Sequence, residues 1–242
     1  MTRVTVLADA ETVAVAVADR IVAAASAAID ERGVFRVALS GGGTPKQVYP
    51  LLLEPERRGA VDWSAVEFFW GDERTVPPDH PESNFGVAYG MLISQLPGAR
   101  PDRIHRMPAE AADLDAAALS YEGELRLVFA AHGDDVPAFD LIWLGMGPDG
   151  HTASLFPEST ALGEARRWVV GNWAPSQEAW RMTLTFPVLN AARDTIFAVT
   201  GADKASALQK IRGGSSTLPA GRVSGDAVEW IVDRAAAGDP SP

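Results

Sequence analysis

The sequence contains no cysteine, and this absence excludes several kinds of chemistry. Its 242 residues offer no disulfide, no thiolate metal ligand and no thiol nucleophile. Cysteine-free proteins occur in every compartment, so the cytoplasm is only the default expectation. Histidine is also scarce, with four residues. Because no three-ligand spacing of histidine and carboxylate is present, the sequence predicts no zinc site.

Positive charge is in short supply. Twenty-one lysine and arginine residues face 32 aspartate and glutamate residues, which gives a formal net charge of -11. Such a surface repels nucleic acid and anionic membranes, so we expect neither as a partner. An anionic substrate would have to be bound by a local cluster of lysine and arginine.

We also expect no apolar run of the ~20 residues that are needed to cross a bilayer. The Ala- and Val-rich N-terminal region is interrupted by Asp9, Glu11, Asp19, Arg20, Asp30 and Glu31. Its apolar residues recur at helical spacing, namely Val13, Val17, Ile21, Ala24, Ala25 and Ile29. This pattern predicts a surface helix that lies on a core.

Short apolar runs alternate with helical patterns along the chain. The predicted strands are Val4 to Leu7, Phe35 to Leu39, Val66 to Trp70, Phe139 to Leu144 and Ile196 to Val199. The predicted helices include one from near Thr44, Asn84 to Leu96, about Ala112 to Ala131, and Lys204 to Ile211. This alternation predicts an α/β fold with a mostly parallel, Rossmann-like three-layer sheet covered by helices.

Three further expectations concern the rest of the fold. The run from Trp180 to Phe186 alternates between apolar and polar residues, which predicts a small additional antiparallel β element. With 47% hydrophobic residues, the chain is expected to form one domain over residues 1–242. Its last five or so residues, Gly238 to Pro242, read as a flexible tail.

Ligands of open α/β sheets bind at the carboxyl ends of the strands, so the loop after Leu39 is the first candidate site. It reads Ser40-Gly41-Gly42-Gly43-Thr44-Pro45-Lys46. Three glycines let backbone N–H groups approach an anion, and Thr44 and Pro45 suit the N-cap and first position of a helix. The loop predicts a phosphate cradle, with a ligand-free tight turn as the alternative. It is not a Walker loop, because no Gly-Lys-Ser/Thr closes it.

A second loop follows Trp70 and reads Gly71-Asp72-Glu73-Arg74. Three charged residues at the end of an apolar strand are costly unless they are solvated or paired. Arg74 is a candidate to bind a phosphate or a developing oxyanion. A salt bridge at the end of the strand is the alternative.

A third loop follows Leu144 and reads Gly145-Met146-Gly147-Pro148-Asp149-Gly150-His151-Thr152. Its glycines match the dinucleotide-binding fingerprint, but Pro148 and His151 fit that turn poorly, and the next strand-like run ends in Gly171-Asn172 instead of an acidic residue. Asp149 and His151 at a strand end suit general base chemistry instead. The remaining histidines, His80, His105 and His132, are interpreted as surface or structural residues.

Two further basic residues are candidates for the anion site. Arg181 begins a strand-like run, and Lys204 follows Thr200-Gly201-Ala202-Asp203 at the start of a helix. Each alone is ordinary. Together with the glycine loop they would concentrate positive charge in an acidic protein.

These motifs resemble the 6-phosphogluconolactonase family over nearly the whole chain, within the larger group that also contains glucosamine-6-phosphate deaminases. The resemblance rests on residues 39–45, on Trp70-Gly71-Asp72-Glu73-Arg74 with Ser83-Asn84, on residues 144–157 and on residues 200–204, in this order. It implies hydrolysis of 6-phospho-D-glucono-1,5-lactone to 6-phospho-D-gluconate, the second step of the oxidative pentose phosphate pathway, without a metal or organic cofactor.

The resemblance also implies roles for individual residues. His151 would activate water and later protonate the leaving ring oxygen, Asp149 would orient or support it, and Arg74 would stabilise charge on the substrate or share the phosphate. The implied substrate and phosphate residues are Ser40, Gly41, Gly42, Gly43, Thr44, Asp72, Gly150, Arg181 and Lys204. The expected partner is a small phosphorylated sugar lactone, and the expected state is a monomer or weak homodimer.

Two other functions stay open. The first is a sugar-phosphate deaminase or isomerase. The resemblance argues against it, because Phe156 stands seven positions after Asp149, where deaminases carry an acidic residue. The second is a sugar-phosphate sensor without catalysis, which would use the glycine loop but not His151.

Overall fold

The helices and strands are taken from a computed structural model that describes residues 2–130, 132, 135–214, 217–225 and 227–239. The strands are β1 (Thr2–Leu7), β2 (Phe35–Leu39), β3 (Val66–Trp70), β4 (Asp72–Arg74), β5 (Leu141–Leu144), β6 (Val169–Ala174), β7 (Ala179–Leu184), β8 (Thr195–Val199) and β9 (Val228–Asp233). The helices are α1 (Ala10–Arg32), α2 (Gly43–Leu52), α3 (Pro55–Gly59), α4 (Asn84–Met91), α5 (Leu114–Val128), α6 (Phe186–Ala191), α7 (Ala205–Arg212) and α8 (Arg234–Ala237).

Six strands form one sheet in the order β1-β9-β8-β5-β2-β3. Every neighbouring pair in it is parallel. The strands β4, β7 and β6 form a second, antiparallel sheet. This architecture confirms the predicted α/β fold with a mostly parallel sheet and a small antiparallel element.

Five strands of the large sheet, β2, β3, β5, β8 and β9, are almost entirely buried, which explains why they are largely continuous apolar runs, whereas the edge strand β1 exposes Val4 and Val6. In β3, Phe68 and Trp70 pack in a core with residues of α1, α2 and α4, whereas Phe69 packs in the opposite core with residues of α5, α6 and α7. Burial of each such aromatic side chain contributes roughly 1.5–3 kcal/mol. The two cores hold the sheet rigidly beneath the loops at its carboxyl edge.

Helix α1 packs one face on the large sheet, which confirms the predicted surface helix on a core. Asp9 caps its first turn by accepting a hydrogen bond from the Thr12 backbone N–H at 2.8 Å, and Gly33 caps its last turn with a φ of 72°. By length and composition it is nevertheless apolar enough to cross a membrane, because residues 12–29 include only Asp19 and Arg20 as charges. This corrects the expectation that no segment approaches such a length. A stripe along the helix is buried on the sheet: Val13, Ala14, Val17, Ala18, Ile21, Ala25 and Ala28.

Several predicted boundaries are wrong by a few residues. The helix predicted from Asn84 to Leu96 ends at Met91, and a 3₁₀ turn follows it. The helix predicted from about Ala112 begins at Leu114, because Asp113 caps it by accepting from the Ala116 N–H. Its predicted end, Ala131, lies outside the described residues.

At the C-terminal end of the chain, strand β9 was not predicted. It pairs with both β1 and β8 and so fills an interior position of the sheet. In the predicted tail, Gly238 ends α8 with a φ of 76°, and residues 240–242 lie outside the described residues.

Candidate active site

A cleft of about 400 Å³ lies at the carboxyl ends of the parallel strands. Strand β5 lies between β2 and β8, so the loops after these three strands meet above the sheet. Ten predicted site residues line the cleft: Ser40, Gly41, Gly42, Gly43, Thr44, Asp72, Arg74, His151, Arg181 and Lys204. Asp149 and Gly150 are not in the cleft wall, but both shape the loop that carries His151.

Tyr49 and Asn84 hold the glycine loop in place. Tyr49 of α2 is fully buried and donates a hydrogen bond to the Ser40 carbonyl at 2.9 Å. Burial raises the pKa of the Tyr49 hydroxyl well above its ordinary value, so the proton that makes this bond stays in place. At Gly41 a Cβ atom would lie 1.8 Å from the Asn84 side-chain oxygen. Only glycine therefore allows the loop to pass this close to Asn84.

The start of α2 corrects one detail of the prediction. The N-cap is Gly42, and the helix begins at Gly43, so Thr44 lies within the first turn instead of capping it. The φ of 103° at Gly42 turns the chain earlier than the Thr-Pro pair suggested. The Thr44 hydroxyl lies 3.5 Å from the Thr200 hydroxyl, which ties this loop to the one after β8. Gly43 and Thr44 of this first turn line the cleft, and the first N–H groups of a helix have no partner within the helix.

His151 and Asp149 form a short-range pair at the end of β5. The Asp149 Oδ1 atom lies 2.6 Å from Nδ1 of His151 and also accepts the His151 backbone N–H at 3.1 Å. Burial raises the pKa of Asp149, but the hydrogen bonds and charge of His151 outweigh it and hold this pKa below its ordinary value. The carboxylate is therefore ionised near neutral pH. Gly150 completes the turn with a φ of 81°.

Arg74 and Arg181 lie directly opposite each other on β4 and β7. Both line the cleft, and like charges at opposed positions of antiparallel strands repel. Burial, followed by the charge of Arg74, lowers the pKa of Arg181. An anion placed near the two guanidinium groups would relieve this repulsion.

A buried acidic residue holds the second loop in place. Glu73, which is 3% exposed, accepts hydrogen bonds from the backbone N–H groups of Asn84 and Phe85 at 2.8 Å each. Burial raises the pKa of Glu73, and these donors oppose the rise. The Asn84 side chain donates to the Asp72 carbonyl at 2.9 Å. Glu73 thus fixes the residues that separate Asp72 from the glycine loop.

Lys204 supplies the third cation of the cleft. Its ammonium group lies 2.5 Å from Asp203, whose side chain is 60% exposed. Because solvent screens an ion pair with so exposed a carboxylate, the pair is weak. Lys204 therefore remains available to a substrate anion.

The other histidines have structural or surface positions, as predicted. His105 is buried, stacks on Phe69 at 4.5 Å between ring centroids, and lies 2.6 Å from Glu124. His80 and His132 are exposed. Within the ranges that the structure describes, no group of three histidine or carboxylate side chains is arranged to hold a metal ion.

Two residues without a predicted role, Gln177 and Ser154, also line the cleft. Gln177 lies in the connection between β6 and β7 and accepts a hydrogen bond from the Arg181 guanidinium. No motif in the sequence includes Gln177. It reaches the cleft because β6 and β7 pair and place their connection there. Ser154 donates to the Asp72 carboxylate at 2.6 Å, and its place within residues 144–157 was the available signal.

Comparison with known proteins gives consistent matches. The profile of the family described as Glucosamine-6-phosphate isomerases/6-phosphogluconolactonase matches residues 8–232. The 6-phosphogluconolactonase of Synechocystis sp. is 46% identical over 187 residues, which cover 76% of this chain and 74% of that protein. The 6-phosphogluconolactonase of Mycobacterium tuberculosis is 38% identical over 237 residues, or 95% of this chain and 94% of that protein. The solved 6-phosphogluconolactonase from Trypanosoma cruzi has a TM-score of 0.85 at 30% identity, with 100% of this chain and 98% of that chain covered.

Proposed function

Because the chain belongs to the family of glucosamine-6-phosphate isomerases and 6-phosphogluconolactonases, we propose that it hydrolyses 6-phospho-D-glucono-1,5-lactone to 6-phospho-D-gluconate. The observation that carries this proposal is the pair of His151 and Asp149 at the wall of a cleft that also presents three cationic side chains. A base beside an anion site is what hydrolysis of a phosphorylated lactone requires.

In this proposal His151 acts as the general base. Its Nδ1 is engaged by Asp149, so Nε2 is the nitrogen left to take a proton from water. The resulting hydroxide adds to the lactone carbonyl carbon, and the tetrahedral intermediate collapses by breaking the bond to the ring oxygen. His151 returns its proton to that oxygen, which leaves a hydroxyl and a carboxylic acid, and the acid then loses its proton to solvent to become the carboxylate. The ionised Asp149 stabilises the imidazolium between these two steps.

The phosphate is assigned to the cationic part of the cleft. Backbone N–H groups of residues 41–44 and the side chains of Ser40, Arg181 and Lys204 surround the space where a dianion fits. We assign the same role to Arg74, because it lies opposite Arg181 and both side chains line the cleft. Asp72 accepts hydrogen bonds from Ser154 and Asn84 and lines the cleft, and we assign its carboxylate to accept a sugar hydroxyl.

The described residues of the cleft favour the lactonase over the deaminase of the same family. Phe156, which stands where deaminases carry an acidic residue, is 2% exposed and lines the cleft. The lining therefore offers an apolar ring at this point and no group to transfer a proton.

The experiment that separates these activities uses the purified chain with two substrates. We expect faster opening of freshly generated 6-phosphoglucono-1,5-lactone than the spontaneous rate, and no ammonia from glucosamine 6-phosphate. Ammonia release would favour the deaminase. Binding of 6-phosphogluconate without acceleration of either reaction would favour a sensor.

A further inference from the structure

The chain reverses direction immediately after His151. The Leu155 N–H donates to the Thr152 carbonyl at 2.9 Å, and Ala153 between them has a φ of 46°, which is uncommon for a residue other than glycine. The Thr152 hydroxyl donates to the Gly145 carbonyl at 2.8 Å, which anchors this turn to the end of β5. The reversal brings Phe156 back beside His151.

The imidazole of His151 is enclosed on three sides. The Phe156 ring lies 4.3 Å from it between centroids, at an interplanar angle of 33°. At Gly147 a Cβ atom would lie 2.1 Å from Cε1 of His151, so the glycine backbone passes directly against the ring. Asp149 binds the Nδ1 atom. Both side-chain torsions of His151 are therefore restricted by three contacts, which are those with Phe156, Gly147 and Asp149.

We propose that Phe156 is a positioning residue for the lactone hydrolysis, because its ring packs against the imidazole of His151 and keeps Nε2 directed into the cleft. The torsion that orients an imidazole ring is otherwise broad and roughly two-fold, and a hydrogen bond at one nitrogen leaves the ring free to tilt about it. A ring packed beside the imidazole removes that tilt. This inference rests on the proposed function of His151 as the base.

The test compares Phe156→Leu, Phe156→Tyr and a control, Phe139→Leu. Phe139 is fully buried beside Phe69 and does not line the cleft, so its replacement leaves a similar cavity without touching His151. For Phe156→Leu we expect a loss of about 10- to 100-fold in kcat, the cost of a small misplacement of a catalytic group, with KM and the Kd for 6-phosphogluconate unchanged. Phe156→Tyr keeps an aromatic ring and should recover most of kcat, and Phe139→Leu should retain kcat while losing thermal stability.

A spectroscopic measurement makes the inference independent of turnover. In the wild-type chain the Phe156 ring current should shift the ring protons of His151, identified by their absence in His151→Gln, and Phe156→Leu should remove that shift. A normal kcat in Phe156→Leu, or a loss shared equally with Phe139→Leu, would overturn the inference. If the wild-type chain failed to open the lactone, the proposed function would fall. An unchanged His151 spectrum in Phe156→Leu would show separately that Phe156 does not fix the imidazole.

Discussion

At the residue scale, Asp149 acts on the substrate only through His151. Asp149→Asn keeps the size of the side chain but removes the charge that stabilises an imidazolium, and its amide can favour the wrong tautomer of His151. We expect kcat to fall by roughly 10²- to 10⁴-fold, the range attributed to general acid–base catalysis. Steady-state kinetics would measure it.

The double variant gives the matched control for this prediction. Because both residues serve one proton transfer, Asp149→Asn combined with His151→Ala should be no slower than His151→Ala alone. Multiplicative losses would mean that Asp149 acts on the substrate by another route.

The cations of the cleft are expected to act mainly in binding. Arg181→Ala and Lys204→Ala each remove a charge that meets the phosphate in both the ground state and the transition state, so KM should rise while kcat changes little. Lys210→Ala is the control, because Lys210 is exposed on α7 and does not line the cleft. A fall in kcat at constant KM would show that the cation stabilises the developing oxyanion instead.

The sequence predicted ten residues that the structure brings to the cleft, most of them because they follow parallel strands. Knowing where the strands end was enough to predict residues 40–44, Asp72, Arg74 and His151, since the carboxyl ends of parallel strands share one edge. To predict that Arg74 lies opposite Arg181 would have required the register of β4 with β7, two strands more than 100 positions apart on the chain. Gln177 depends on a different pairing, because it lies in the short connection between the neighbouring strands β6 and β7.

At the scale of elements, the loop after β5 depends on the absence of a side chain at Gly147. In Gly147→Ala the new Cβ would overlap the His151 ring and lie 2.7 Å from Oδ1 of Asp149, so the pair must move. We expect a loss of about 10²-fold in kcat, measured by steady-state kinetics. Gly145→Ala is the control, because its Cβ would meet only the Ser40 hydroxyl at 3.8 Å. Equal kcat values for the two variants would contradict the contact.

Helix α5 is attached to β6 through Glu122, which is 5% exposed. Its carboxylate accepts from the Arg167 guanidinium at 2.9 Å and from the Trp168 N–H at 2.8 Å. Burial raises the pKa of Glu122, but these donors outweigh it, and the pKa lies below 4.5. We expect Glu122→Gln to lower the free energy of unfolding by about 1.5–3 kcal/mol at neutral pH, as measured in urea.

The pH dependence of this difference follows from the lowered pKa. Since the folded state favours the ionised form, the stabilisation is present above the ordinary pKa of 4.5 and disappears as the pH falls through the lower folded value. Glu110→Gln removes an exposed pair with Arg106 and should cost only about 0.3–0.5 kcal/mol. A difference for Glu122→Gln that persists at strongly acid pH would mean that packing, not charge, is lost.

The predicted helices were less accurate than the predicted strands for a physical reason. A strand buried on both faces is a continuous apolar run with sharp ends, whereas a helix end depends on capping contacts such as that of Asp113 with the Ala116 N–H. Strand β9 was not predicted, although Val228 to Asp233 is largely apolar. Its position between β1 and β8 depends on residues far away in the sequence.

At the scale of the whole molecule, an acidic chain presents a cationic cleft. The net charge is -11, yet Arg74, Arg181 and Lys204 lie around one space at the edge of the sheet. The position of these cations and of the helix N-terminus of α2 supports binding of a small anion, while the acidic remainder of the surface disfavours nucleic acid and anionic membranes as partners.

The measurement that tests this account most directly is the rate of opening of freshly generated 6-phosphoglucono-1,5-lactone by the wild-type chain and by His151→Ala. It is made in chelator-treated buffer and corrected for the spontaneous reaction. The account predicts clear acceleration by the wild-type chain, and a loss of about 10²- to 10⁴-fold in His151→Ala with binding of 6-phosphogluconate retained. Acceleration by His151→Ala equal to that of the wild-type chain would contradict it.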